Sequence, residues 1–240
     1  MTRIPANAKA ESFGSLFNDF VSLFYPRYCL ACQTALLKGE DSLCTHCLSR
    51  LPKTGHHLHH SNPVKERLVG RLPLEFAFAF LRFRKGGIVQ QLLHELKYRN
   101  QPELGVRIGQ LYGSELKQAG LEKEFDVIIP VPLHEGRKRQ RGYNQSSMFA
   151  QGLSEAMNIP WQESVSVRVQ STLTQTKKSR AERWANVKEA FAISHLDDVR
   201  GKRVLLVDDV ITTGATLEAC GQHLLNNACQ SLSIACIAEA

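Results

Sequence analysis

Two adjacent carboxylates, Asp208 and Asp209, follow four aliphatic residues in "RVLLVDDVITTGAT", Arg203 to Thr216. An apolar run of that kind is a buried strand, and a buried strand that ends on paired acids needs something for them to bind. The residues that follow supply a second group. Thr212, Thr213 and Thr216 carry hydroxyl donors, Gly214 lets the backbone approach a ligand closely, and Ala215 opens a predicted helix. Backbone N–H groups of such a loop, with a helix N-terminus behind them, cradle an anion. Acids beside a phosphate cradle suit a sugar phosphate, the carboxylates taking ribose hydroxyls or a Mg²⁺ and the loop taking the phosphate. A strand cap followed by an ordinary turn is the plainer alternative. Neither a Walker A sequence nor a G-x-G-x-x-G sequence competes for the phosphate.

A second constellation lies near the N-terminus. Cys29-x-x-Cys32 and Cys44-x-x-Cys47 stand eleven residues apart. Each knuckle turns tightly enough to aim two thiolates at one ion, and four thiolates close a structural zinc site. A redox pair would need one C-x-x-C between a strand and a helix, and two pairs in so short a segment do not offer that. His46, inside the second knuckle, leaves a set of three cysteines and one histidine open. Cys220, Cys229 and Cys236 sit in apolar segments and read as core thiols. His56, His57, His59 and His60 in the polar stretch "KTGHHLHHSNP" read as solvated surface.

The elements that must position these groups are strands alternating with helices. A helix is predicted over 13–24, where Phe13, Leu16, Phe17, Phe20, Val21 and Phe24 recur at helical spacing until Pro26 stops it. "EFAFAFLRF" alternates like a strand and "GGIVQQLLHELKYR" reads as an amphipathic helix. "EFDVIIPVP" is a short buried strand, followed by helix "YNQSSMFAQGLSEAM", strand "SVSVRV" and helix "SRAERWANVKEAF". The strand into Asp208, a helix over about Ala215–Leu225 and a last strand "SLSIACIA" complete the order. This is an α/β pattern of βαβ units, implying a mostly parallel sheet with helices on both faces. The polar His-rich connector divides the chain into an N-terminal module, residues 1–70, and a larger domain, residues 71–240.

At 240 residues with 43% hydrophobic and 22% charged content, the chain can bury one sizeable core and needs no membrane to do so. No window approaches the roughly 18 apolar residues of a bilayer span, and no secretory pattern is present, so a cytoplasmic protein is expected. The net charge of +7 favours an anionic partner. Two runs concentrate it: Arg137, Lys138, Arg139 and Arg141 in "GRKRQRGY", and "KKSRAER" with Arg180 and Arg183.

"VLLVDDVITTGAT" resembles the 5-phosphoribosyl 1-pyrophosphate (PRPP) motif of type I phosphoribosyltransferases: four hydrophobic residues, two acids, a spacer, then Thr-Gly-x-Thr. "LHELKYR", "VPLHEGRKRQRGYNQSSMFAQGL", "TLTQTKKSRAERWANVKEAF" and the four-cysteine module together resemble the ComF family of competence-associated proteins. Enterobacterial members of that family are also called GntX or DNA-utilisation proteins. The resemblance spans roughly residues 24–240. It implies a type I phosphoribosyltransferase-like sheet flanked by helices, with a small zinc-binding module ahead of it. It further implies that Asp208 and Asp209 meet the ribose hydroxyls with Mg²⁺ nearby, and that Val210, Ile211, Thr212, Thr213, Gly214, Ala215 and Thr216 line the 5-phosphate. Val131 and Pro132 take the place of the pyrophosphate loop, followed by Arg137, Arg139 and Arg141, while Arg180 and Arg183 lie on a loop that closes over PRPP. Lys178 and Glu189 depart from that loop's pattern.

Two kinds of function follow from the resemblance. One is pentosyl transfer from PRPP, through an oxocarbenium-like transition state reached by positioning and charge neutralisation. The other is a non-catalytic regulator that senses PRPP or a nucleotide and engages single-stranded DNA, DNA-uptake or recombination proteins. DNA uptake in natural competence, or use of DNA as a nutrient, comes with the family in either case.

Overall fold

The computed structural model describes residues 24–163, 166–168, 191–193, 197 and 199–240. The predicted helix over 13–24 lies outside the described residues apart from Phe24, as do Arg180 and Arg183 and the whole of "TLTQTKKSRAERWANVKEA". The chain divides into two compact units, Met1–Arg50 and Leu51–Ala240, so the His-rich connector travels with the larger one.

In the first unit, helix α1 (Thr45–Ser49) carries the second cysteine knuckle. Its buried hydrophobic residues are few: Cys29, Leu43 and Cys47 among those described. An apolar core of that size does not hold a fold by itself.

The larger unit is built on a parallel four-stranded sheet. Its strands are β1 (Ala77–Arg82), β2 (Val127–Pro130), β5 (Arg203–Ile211) and β6 (Ser231–Glu239), in the order β1-β6-β5-β2. A separate antiparallel pair joins β3 (Ser166–Arg168) to β4 (Phe191–Ile193). The helices are α2 (Pro63–Leu68), α3 (Ile88–Tyr98), α4 (Pro102–Gln118), α5 (Glu135–Arg141), α6 (Gln145–Met157) and α7 (Ala215–Asn226). Side chains alternate between the faces of a strand, so each strand feeds two cores. Ala77, Ala79, Val204, Leu206, Leu232 and Ile234 pack with Val64 and Leu68 of α2 and Leu217 and Leu224 of α7. The intervening Phe80 faces the other way and stacks on Tyr112 of α4, with ring centroids 4.8 Å apart. Among the described residues no helix is long and apolar enough to cross a membrane.

Helices α4 and α6 approach each other unusually closely. A Cβ on Gly109 would lie 2.4 Å from the Phe149 carbonyl oxygen, and one on Gly152 only 2.0 Å from that of Val106. This contact sets the start of α6, which Asn144 caps by accepting from the Ser146 N–H at 3.2 Å. The Asn144 amide also donates to the Val131 carbonyl at 3.0 Å, tying the helix to the end of β2.

His59 and His60 are exposed, as a solvated stretch would be, but His56 differs from that expectation. His56 is only 3% exposed, accepting the Ala79 N–H on Nδ1 at 3.4 Å and lying 3.5 Å from Glu239. Strand β1 captures it because Thr54 pairs its N–H with the Phe80 carbonyl, drawing the connector along the sheet edge.

Candidate functional site

Strand β2 pairs with β5 as far as Pro130 against Val207, whereas β6 accompanies β5 to Ile211 against Glu239. On the β2 side, Asp208 is therefore the first β5 residue without a ladder partner. Beyond α6 the chain pairs on the outer side of β2, Trp161 bridging Ile128, whereas beyond α7 it returns to β6, so the connections diverge between β2 and β5, which is where ligands enter parallel α/β sheets.

Three neighbours fix the two acids. The Ser146 hydroxyl, in the first turn of α6, donates to Asp208 Oδ1 at 2.9 Å, and the Asp209 N–H donates to the same oxygen at 2.8 Å. Lys97, near the end of α3, places Nζ 2.7 Å from Asp209 Oδ2. Loss of water and the charge of Asp209 push the Asp208 carboxyl up to about 7, against the pull of these donors. The folded ligand-free chain thus keeps a proton on Asp208 that the unfolded chain releases near its ordinary value of 3.8. Stability from this group is full at low pH and declines as pH rises from about 4 to about 7. Thermal melts across that range are expected to show the decline, and Asp208→Asn to remove that part of the slope.

The loop beyond the acids is held from behind. Arg67 Nη1 donates to the carbonyl oxygens of Thr212 at 2.6 Å, Ala240 at 3.1 Å and Ile211 at 3.4 Å. Arg71 Nη1 donates to the Thr213 carbonyl at 2.7 Å, while its Nε and Nη2 grip Glu218 in the first turn of α7. In a planar trans peptide the N–H points opposite to the C=O. Drawing the Thr212 and Thr213 carbonyls toward the arginines therefore turns the N–H groups of Thr213 and Gly214 away from them, toward the exposed side of the loop. Gly214 has φ +77°, a backbone conformation that favours glycine, and a Cβ there would press within 2.8 Å of the Leu68 side-chain tip. These N–H groups lie at the N-terminus of a twelve-residue helix, an arrangement able to cradle an anion, with Thr212 and Thr213 exposed beside it. Arg67→Met is expected to weaken ribose 5-phosphate binding about 10-fold or more, since hydrogen bonds from a charged donor are worth about 1.5–3 kcal/mol. A calorimetric titration reads this, with Arg67→Lys falling between the two.

The Sγ atoms of Cys29, Cys32, Cys44 and Cys47 all lie within 4.8 Å of one another. Tetrahedral zinc with bonds of about 2.3 Å requires S···S separations of about 3.8 Å, and Cys32 and Cys44 are 3.7 Å apart. The Cys44 N–H donates to Cys29 Sγ at 3.3 Å and the Cys47 N–H to Cys44 Sγ at 3.4 Å, bonds that favour thiolates. The Glu40 carboxylate spans the segment between the knuckles, accepting from Leu37 N–H at 2.9 Å and Thr45 N–H at 2.6 Å. His46 stands apart from the cluster with its Nε2 3.2 Å from Arg50, leaving four cysteines as the donor set. They fit a structural zinc, which would supply the cross-link that the missing apolar core does not.

Residues 144–240 match the family described as phosphoribosyl transferase domain. The DNA utilization protein YhgH of Escherichia coli (strain K12) is 30% identical over 213 residues, covering 87% of this chain and 88% of that protein. Competence protein F of Haemophilus influenzae is 31% identical over 215 residues, covering 81% and 89%. The chain belongs to the ComF family. Among solved structures, one described as the allosteric regulatory enzyme of purine biosynthesis aligns with a TM-score of 0.42 at 22% identity, over 60% of this chain and 30% of that one. Residues 144–240 form a phosphoribosyl transferase domain within the parallel sheet and its flanking helices, and a four-cysteine cluster able to hold a metal such as zinc lies ahead of it in sequence.

The residues expected from the ComF resemblance take different places. Asp208, Asp209 and Thr212 to Thr216 come together at one end of β5, with the Ile211 side chain in the core beneath them. Val131 is buried with its N–H committed to the Val207 carbonyl. Pro132 is partly buried at the start of the segment leading to α5. Arg137 and Arg139 are exposed on α5, and Arg141 turns to Gln145 and Tyr98. Arg67, Arg71, Lys97 and Ser146 carry no motif signal of their own, although Lys97 lies in "LHELKYR" and Ser146 in "RGYNQSSMFAQGL".

Proposed function

We propose that this ComF-family chain binds PRPP, or a related ribose phosphate, together with Mg²⁺ at the carboxyl end of β5. The observation that carries this reading is the joint fixation of the acid pair by Ser146 and Lys97 and of the threonine loop by Arg67 and Arg71. Asp208 and Asp209 present hard oxygen donors suited to ribose hydroxyls and to Mg²⁺, which when bound supplies charge neutralisation for a departing pyrophosphate. The cradle at Thr213 and Gly214 receives the 5-phosphate. Among the described residues Ser146 is committed to Asp208 and Lys97 to Asp209, and the chain contributes by holding the ribose with C1 presented to an acceptor. In transfer, the C1–O bond to pyrophosphate breaks with its electron pair leaving on oxygen, and an acceptor lone pair makes the new bond to C1. The names of the relatives support a place for this chemistry in DNA uptake or in the use of DNA as a nutrient.

A pyrophosphate-release assay with PRPP, Mg²⁺ and a panel of bases and amines tests the proposal. Release that depends on one acceptor establishes a transferase. Binding of PRPP without release supports the regulatory reading, which the exposed Arg137 and Arg139 favour as contacts for a nucleic-acid backbone. Absence of PRPP binding overturns both.

A further inference from the structure

The acid pair holds a cation that the chain itself supplies. Lys97 places Nζ 2.7 Å from Asp209 Oδ2, and the two side chains are largely withdrawn from water, at 22% and 18% exposure. Salt screens a contact of that depth poorly. The neighbouring carboxylate is engaged differently: Asp208 Oδ1 takes the Ser146 hydroxyl and the Asp209 N–H, both neutral donors. Of these three donors only Lys97 brings a full positive charge. The backbone that carries it is fixed. Leu96 is wholly buried and its carbonyl accepts the Tyr143 hydroxyl, while the Arg99 N–H closes the helix on the Glu95 carbonyl at 3.1 Å. The ammonium therefore leaves Asp209 only by a swing of its own flexible four-carbon stem.

We propose that Lys97 is the resident cation of the acid pair and keeps a free divalent ion off Asp209, so that metal enters together with the phosphorylated ligand and not ahead of it. The inference rests on the phosphoribosyl reading of Asp208, Asp209 and the threonine loop, and it names a residue that sets the order of binding there. Oxygen ligands hold Mg²⁺ at about 2.0–2.1 Å, so an ion and an ammonium sharing Asp209 Oδ2 would lie less than about 5 Å apart. Two like-signed ions at that distance, in a site with little water, repel strongly. Anionic oxygens of a phosphorylated ribose change the balance, because they give the displaced ammonium a new partner and offset the charge of the incoming ion. A lysine that merely tethers Asp209 predicts the contrary: removing its charge would leave the affinity for a free ion unchanged.

The test is titration of the full chain with Mn²⁺ in the absence of PRPP, the unbound ion being read by electron paramagnetic resonance. Wild type is compared with Lys97→Gln, Lys97→Met and Lys97→Arg. Mn²⁺ shares the oxygen preference of Mg²⁺ and so is unsuited to the four thiolates. Lys97→Gln and Lys97→Met are expected to bind Mn²⁺ about 10-fold or more tighter than wild type, and to lose that gain when Asp209→Asn is added. Lys97→Arg keeps the charge and should stay as weak as wild type. Glutamine and methionine are good helix formers, so the neutral variants are expected to fold, and a melt verifies it. Calorimetric titration of PRPP with Mg²⁺ present is the second arm, on the same proteins. Three results overturn the inference: no gain in the neutral variants, an equal gain in Lys97→Arg, or a gain that survives Asp209→Asn. PRPP binding alongside any of them leaves the phosphoribosyl reading standing. A gain confined to the neutral variants, with no protein binding PRPP, upholds Lys97 as the resident cation and sinks the phosphoribosyl reading. No gain and no PRPP binding overturn both.

Discussion

Asp208→Asn combined with Asp209→Asn is expected to abolish Mg²⁺-dependent PRPP binding, with a loss of about 100-fold or more in affinity. Asparagine keeps the size of each side chain and a carbonyl oxygen, so the Ser146 hydroxyl and the Asp209 N–H keep an acceptor at position 208. What the pair loses is its charge. Hydrogen bonds to a charged group are worth about 1.5–3 kcal/mol each, and two such losses multiply to about 100-fold. The amides also lose most of their capacity to hold a hard cation. A calorimetric titration of PRPP with and without Mg²⁺ measures the effect, and unchanged binding would sink the assignment of the site. Stability moves separately. Asp208→Asn removes a group whose ionised form is disfavoured in the fold, whereas Asp209→Asn strips Lys97 of its partner. Melts of the single variants on either side of pH 7 therefore separate damage to the fold from loss of the ligand.

The part of this site that is legible in sequence is the part made by consecutive residues. An apolar strand, two acids and a threonine-glycine turn declare themselves because strand, loop and helix N-terminus share one stretch of chain. The supports come from far away. Arg67 reaches Thr212 across 145 positions, Arg71 reaches Thr213 across 142 and Ser146 reaches Asp208 across 62. Nothing in the local pattern of α2 or α3 marks an arginine or lysine as facing a loop and not the solvent. The same holds for the fold. The strands leading to Asp208 and Ala238 follow their apolar runs, but α4 carries Gly105, Gly109 and Gly113, which weaken a helical reading while serving close packing on α6. Pro102 at its first turn and the four-residue spacing of those glycines are the signals that would have found it. His56 shows the opposite error: a polar neighbourhood in sequence disguises a side chain that the sheet edge buries.

Removing a zinc held by the four cysteines that fit it is expected to unfold residues 24–50. Cys29, Leu43 and Cys47 are its buried hydrophobic residues among those described, and α1 spans only five residues, too short to persist without tertiary support. Structural zinc bound by small peptides contributes about 10–16 kcal/mol, comparable with the whole stability of a typical domain. The free thiols also resist common ionisation. Desolvation and the neighbouring sulfurs push the Cys47 thiol well up, while hydrogen bonds from Thr34 bring Cys32 down to about 6, so uncompensated thiolates cannot fill the cluster together. A divalent ion reverses that balance. Protein purified under reducing conditions should contain one zinc per chain by elemental analysis. Chelation, or Cys47→Ser, should raise amide exchange throughout residues 24–50 to unfolded rates. A redox role for the C-x-x-C pairs predicts the contrary pattern, with no bound metal and exchange that responds to oxidant but not to chelator. Buried positions for Cys29 and Cys47 speak against that pattern, because a thiol that trades disulfides needs access to its partner.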